Sequence, residues 1–271
     1  MDSLASALPH LDLLRDVVGR FAVVLDAADE TALARRVPSL TRWTVGDVAA
    51  HLAGVHRWCA GVVRDGRRPV RGSVPAGPVG LAATYREAAA DMLDALSAAH
   101  ADQVCWTLDR TDRRAGFWPR RQLHEVVVHL WDVRSVDDPT PAALADVPAE
   151  VAADGVDELL QMAPTRLGST RTPLPGTLAL HATDTGARWL LGADWLLGEA
   201  PGAAHDHDAH GAEERSDDHG AGGRSDVHGA AAQLAAPAHA LLLHVWCRGA
   251  HARATGDPAT LRAFERAPIR A

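Results

Sequence analysis

Three residues in the first half of this 271-residue chain have the types and spacing of a metal site: His51, Glu125 and His129. Glu125 and His129 belong to the run His124-Glu125-Val-Val-Val-His129-Leu-Trp-Asp132. Four residues apart on a 3.6-residue helix, they project from one face, one turn apart, beside the apolar Val126 and Leu130. His51 adjoins the stripe Val48, Leu52, Val55 of another helical segment and so points toward the same interior. Two imidazoles and a carboxylate meeting inside a helical bundle make a His₂Glu site for a divalent cation, most simply zinc with an open fourth position. Asp132 stands a further turn along, where it can accept the outer N–H of His129 and fix its tautomer. Acid–histidine pairs at this spacing also occur on ordinary solvated helices, so the residues alone leave that alternative open. His56 and His124 fall on the flanks of the stripes and are expected to be partly exposed. Trp58 and Trp131 are expected to pack in the core.

The elements that must position these side chains are legible as periodicity. After Pro9, Leu11, Leu14, Val18, Ala22 and Leu25 recur at three- and four-residue steps, which predicts a first helix. Thr44-Val-Gly-Asp47 has the form of a capping box opening a second helix, which carries Val48, Leu52, Val55, Cys59 and Val62 and ends near Gly66. Beyond a Pro/Gly-rich loop at Arg68–Pro78, a third stripe runs through Leu81, Tyr85, Ala88, Met92 and Leu96. A fourth helix opens at Pro119 with Leu123, Val126, Val127, Leu130 and Val133 inward. Four such helices predict a bundle.

The pattern changes after Pro139, Pro141 and Pro148, which places a domain boundary near residue 145 and gives two domains, 1–145 and 146–271. The second half reads as α+β. It has a short helix at Ala149–Met162, then a hairpin of Gly176–Thr183 and Ala187–Trp195 joined through Asp184-Thr-Gly186. An apolar helix at Leu234–Arg248, a short strand at His251–Thr255 and a helix at Ala259–Ala267 complete it. Between the hairpin and the apolar helix, Glu199–Ala232 holds five histidines, eight acids, two arginines and six glycines with almost no large apolar side chain. That composition predicts a disordered insertion, and its histidine spacing fits no closed structural metal site.

Composition removes several chemistries. All 27 basic residues are arginine, so there is no lysine for a Schiff base, a P-loop or a general base. The net charge is −8, and the insertion's local −6 leaves only −2 on the other 237 residues. With no basic run, nucleic acid is not an expected partner. No apolar stretch approaches the ~20 residues of a membrane span, and Met1–His10 lacks the features of a signal peptide, so the expectation is a cytoplasmic protein. Cys59, Cys105 and Cys247 share no CxxC spacing and are expected to be buried small hydrophobes.

The segments Trp43-Thr-Val-Gly-Asp-Val-Ala-Ala-His51-Leu and Phe117-Trp-Pro-Arg-Arg-Gln-Leu-His-Glu125-Val-Val-Val-His129-Leu-Trp-Asp132 resemble the signature blocks of the actinobacterial mycothiol-dependent, maleylpyruvate isomerase-like enzymes, within the broader DinB-like four-helix metalloproteins. Ala152-Ala-Asp-Gly-Val-Asp-Glu-Leu-Leu160, Ala240-Leu-Leu-Leu-His-Val-Trp-Cys-Arg248 and Thr255-Gly-Asp-Pro258 resemble that family's C-terminal domain. The resemblance implies an N-terminal DinB-like four-helix bundle and a smaller C-terminal α/β domain similar to sterol-carrier folds. It implies a metal held by His51, Glu125 and His129, and mycothiol as cosubstrate. In the isomerase chemistry a thiolate adds to a cis double bond, the resulting single bond rotates, and elimination gives the trans isomer; in a transferase the adduct is kept. Arg248 matches an arginine of the family pattern. It is expected either to hold a ligand carboxylate in a forked pair or to serve as a cation at a helix C-terminus. Arg120 and Arg121 are equally open between function and surface charge.

The expected function is therefore a zinc-dependent, mycothiol-using enzyme acting on a small electrophile. The alternatives are a zinc-dependent hydrolase or lyase activating water, and a non-catalytic module that binds a small molecule. The loops Arg68–Pro78 and Ala101–Gly116 carry no readable specificity, and substrate identity stays open.

Overall fold

Leu14, Val17, Val18, Phe21 and Leu25 all lie on one side of a helix, and in the computed structural model, which describes residues 8–68, 80–198, 229–249 and 251–269, that helix is α1 (His10–Ala27). A single-turn helix, α2 (Glu30–Leu33), follows. α3 (Val45–Asp65) begins at the expected capping box: Asp47 N–H donates to Thr44 Oγ1 at 3.1 Å, and Thr44 N–H to Asp47 Oδ2 at 2.8 Å. It ends at Gly66, whose φ of 66° is the left-handed conformation that favours glycine at this place. α4 (Leu81–Ala98) and α5 (Phe117–Arg134) complete a bundle with α1 and α3. α5 buries nearly all round, from Trp118 to Val133, because it packs on α1 and α3 on one side and on the C-terminal half on the other.

The first element of the second half, α6 (Ala149–Leu167), extends five residues beyond its expected end at Met162, passing through Pro164. Proline removes one ladder hydrogen bond, yet the helix continues for a further turn and carries Arg166 with it. A mixed sheet in the order β3-β2-β1-β4-β5 follows: β1 (Leu178–Ala182), β2 (Arg188–Leu191), β3 (Leu197–Gly198), β4 (Ala232–Ala236) and β5 (Arg253–Gly256). The hairpin pairing of β1 with β2 is as expected, with Leu180 opposite Trp189. β1 also pairs in parallel with β4, with Leu180 opposite Leu234, and so has neighbours on both sides.

The apolar stretch Leu234–Arg248 is not one helix. Its start completes β4, Pro237 breaks the chain direction, and α7 runs only from Ala238 to Val245. Apolar runs shorter than about ten residues do not declare helix or strand by periodicity, and the residue before a proline is pushed to extended backbone. α8 (Pro258–Arg266) closes the fold, capped by Asp257. Ala232, expected as the end of the insertion, opens β4; residues 199–228 of the insertion and 69–78 of the expected loop lie outside the described residues. No helix among the described residues is long and apolar enough to cross a membrane.

Candidate functional site

Helices α3 and α5 bring His51, Glu125 and His129 together. One ligand-capable atom from each lies within 4.8 Å of the others. Both imidazole Nε2 atoms face the same carboxylate oxygen, Glu125 Oε1, at 3.3 Å from His51 and 3.6 Å from His129. The two rings stand edge to face with centroids 5.0 Å apart, and Trp43 packs against both, at 4.9 Å from His51 and nearly parallel to His129 at 6.3 Å.

The surrounding groups fix this arrangement. His129 Nδ1 is 2.8 Å from Asp132 Oδ2, the contact its spacing predicts, which turns Nε2 toward the cluster. Asp132 is fully buried and also accepts from Ser39 Oγ at 2.7 Å. Glu125 Oε2 accepts from Arg121, one turn earlier on α5, and the other arm of that guanidinium donates to Glu158 Oε2 at 2.6 Å. Burial would push the Glu125 carboxyl up, but Arg121 and the two imidazoles outweigh it and hold it well below the usual carboxylate range. Burial pulls the His129 imidazole down, and its bonds to Asp132 and Glu125 more than reverse this.

Several expected placements change. His56 and His124 are completely buried rather than flanking. His56 pairs with Gln122 at 3.3 Å, and burial lowers its pKa to about 4. His124 donates to or accepts from Asp154 Oδ2 at 2.8 Å, an oxygen that also meets His10 at 2.9 Å. Arg120 and Arg121 are not surface charges: Arg120 joins Asp154 and Asp157 of α6, and Arg121 is 2% exposed. Trp131 is buried as expected, whereas Trp58 lines the cavity described below. Cys59 and Cys105 are buried, but Cys247 is exposed.

Arg248 closes the C-terminal end of α7: its backbone N–H donates to Leu243 O at 2.8 Å, just after the left-handed Cys247. Its fork is engaged within the protein: Nε and Nη2 donate to Asp132 at 2.8 and 2.9 Å, and Nη1 donates to Trp246 O at 3.0 Å. A forked pair with a ligand carboxylate is therefore not free in this conformation. Trp43, Glu158, Arg166 and Trp246 went unsingled in the sequence. Trp43, Glu158 and Trp246 stand within the quoted motifs without a role of their own, and Glu158 and Arg166 reach the site by helix packing that no local pattern encodes.

The cluster opens on a cavity of about 730 Å³, lined by His51, Glu125 and His129, by the aromatic Trp43, Trp58, Trp118 and Trp246, and by Arg68, Arg121, Arg166 and Arg248. Such a space is of the size that takes a small organic ligand. Two nitrogens and one carboxylate oxygen, held from outside by Asp132 and Arg121, are a donor set suited to a divalent ion of the zinc type with a position left over.

Comparisons with known proteins agree with this layout. Residues 14–134 match a family model described as the mycothiol maleylpyruvate isomerase N-terminal domain. Two crystal structures share the fold: one of the mycothiol-dependent maleylpyruvate isomerase and one of a histidine-to-alanine mutant of it. Each covers 96% of this chain and 98% of its own, at a TM-score of 0.59 and 15% identity. No curated protein matches the chain. The helical bundle, residues 14–134, thus matches the mycothiol maleylpyruvate isomerase N-terminal domain model, and the chain as a whole shares the fold of the mycothiol-dependent maleylpyruvate isomerase.

Proposed function

We propose that this chain is a zinc-dependent enzyme that uses mycothiol as its thiol cosubstrate against a small electrophile, by S-transfer or by cis–trans isomerisation of the maleylpyruvate type. The observation that carries the proposal is the convergence of His51, Glu125 and His129 within 4.8 Å on the wall of one cavity. Those three residues are the proposed metal ligands. A divalent ion held by them would supply one thing, a lowered pKa for a coordinating thiol whose free value is about 8.5.

The chain's own residues supply the rest. Asp132 orients His129 so that its Nε2 lone pair is presented to the cluster. Arg121 keeps Glu125 ionised and directs Oε1 toward both imidazoles. Arg248 acts through Asp132 as a positioning residue. Trp43 covers the imidazole rings and reduces their contact with water. Burial pushes the thiols of Cys59 and Cys105 up, so neither is poised as a nucleophile, which suits a borrowed thiol. The proposed division of labour is a metal-binding domain at 1–145 and a C-terminal domain at 146–271 that closes the cavity through Arg166, Trp246 and Arg248.

The test is thiol consumption by the purified protein with mycothiol and a panel of electrophiles that includes maleylpyruvate, epoxides and activated conjugates. Mycothiol-dependent turnover is expected. Turnover that ignores mycothiol identifies a water-activating hydrolase or lyase, and ligand binding without any consumption identifies a binding module.

A further inference from the structure

Four arginines face the cavity, and three have partners within the protein. Arg121 is held between Glu125 and Glu158, Arg248 is held by Asp132, and the exposed Arg68 lies over the Trp106 ring at 5.3 Å. Arg166 has none. Among the described residues no carboxylate pairs with it, and its Nε–H is buried without a hydrogen-bond partner. Burial and the neighbouring Arg121 charge pull its pKa down to about 10, an effect that the more distant charges of Glu158 and Glu125 offset only in part. A second orphan donor lies in the same wall: Trp246 Nε1 is buried, has no acceptor, and belongs to an indole that is 4% exposed beneath the Arg121 guanidinium at 5.1 Å.

Two buried N–H donors without acceptors, one on a cation, make an incomplete arrangement. Water can satisfy an N–H but does not neutralise the charge. The last turn of α6 favours a cation, which explains a basic residue at the helix end but not a guanidinium turned into the cavity wall. The Nε side of a guanidinium offers two parallel N–H donors, a fork that matches a planar carboxylate.

We propose that Arg166, aided by the Trp246 indole N–H, is the receptor for a carboxylate of the small molecule bound in this cavity, and so selects anionic over neutral ligands. This rests on the proposed function only in taking that small molecule to be the electrophile; the recognition itself needs neither metal nor thiol.

The test is calorimetric titration of the as-purified full-length protein with maleate, a simple dicarboxylate, and with its uncharged dimethyl ester. Metal content and circular dichroism are measured on every sample. Arg166→Gln is expected to weaken maleate binding by at least about tenfold at unchanged metal content, with the ester unaffected. Trp246→Phe is expected to weaken it about threefold. Should Arg166→Gln fail to fold, Arg166→Lys decides: it keeps the charge but loses the fork, and at least about a fivefold loss is expected. Maleate affinity within twofold of wild type in the folded variant, or no maleate binding by the wild type at millimolar concentration, overturns the inference. Arg166-dependent maleate binding in a chain that takes up no metal leaves this inference standing and removes the proposed function; metal uptake with Arg166-independent binding does the reverse.

Discussion

Asp132 and Arg248, 116 positions apart, form a forked pair in which both guanidinium bonds measure 2.8–2.9 Å. The same carboxylate holds His129 Nδ1 at 2.8 Å, so one buried aspartate joins the C-terminal half to a proposed metal ligand in the bundle. Burial would raise the Asp132 carboxyl, but His129 and Arg248 pull it below its ordinary value, and it stays an anion for both partners.

Arg248→Met is expected to act at two places. It strands a fully buried carboxylate, at a cost of about 3 kcal/mol in unfolding free energy. It also loosens the orientation of His129, so metal affinity should fall roughly 10- to 100-fold, as read by competition with a chelating dye. A variant with wild-type metal affinity contradicts the positioning role.

His56 makes stability pH-dependent. Its imidazole takes a proton near pH 6.5 when unfolded but only near about 4 in its buried site. Between those values the unfolded chain binds more protons, so stability falls as the pH drops through the window, by about 3 kcal/mol in all. Denaturant unfolding from pH 7 to pH 4.5 should show this slope, and His56→Gln should flatten it. An unchanged slope in the variant assigns the effect to another group.

Gly155 of α6 packs against His124 of α5 and Leu242 of α7. A Cβ there would lie 3.0 Å from His124 Nδ1 and 2.9 Å from Leu242 Cδ1. His124 is fixed by Asp154 and cannot retreat freely. Gly155→Ala, which in an exposed helix would stabilise, should here cost about 1–3 kcal/mol, measurable as a lower Tm. An increase in Tm contradicts this packing.

The bundle was readable because each helix buries a stripe at 3.6-residue spacing, and the Thr44–Asp47 box announced α3 directly. Glu125, His129 and Asp132 were readable together for the same reason: their contacts are local to one helix. What the sequence hid depends on tertiary placement. Leu234–Ala236 reads as the start of a helix until its parallel pairing with β1 makes it a strand. His124, on an apparent flank, is buried because α6 covers that side of α5. Arg121 looks like a surface charge until Glu158 arrives from α6, and Arg166 reaches the cavity only because α6 continues past Pro164.

Whether His51, Glu125 and His129 hold a metal is read by elemental analysis of the purified chain. About one divalent ion per chain is expected, zinc for preference, lost in His51→Ala and in His129→Ala while the fold by circular dichroism is kept. A wild-type chain that is fully folded, metal-free and unresponsive to added zinc contradicts it.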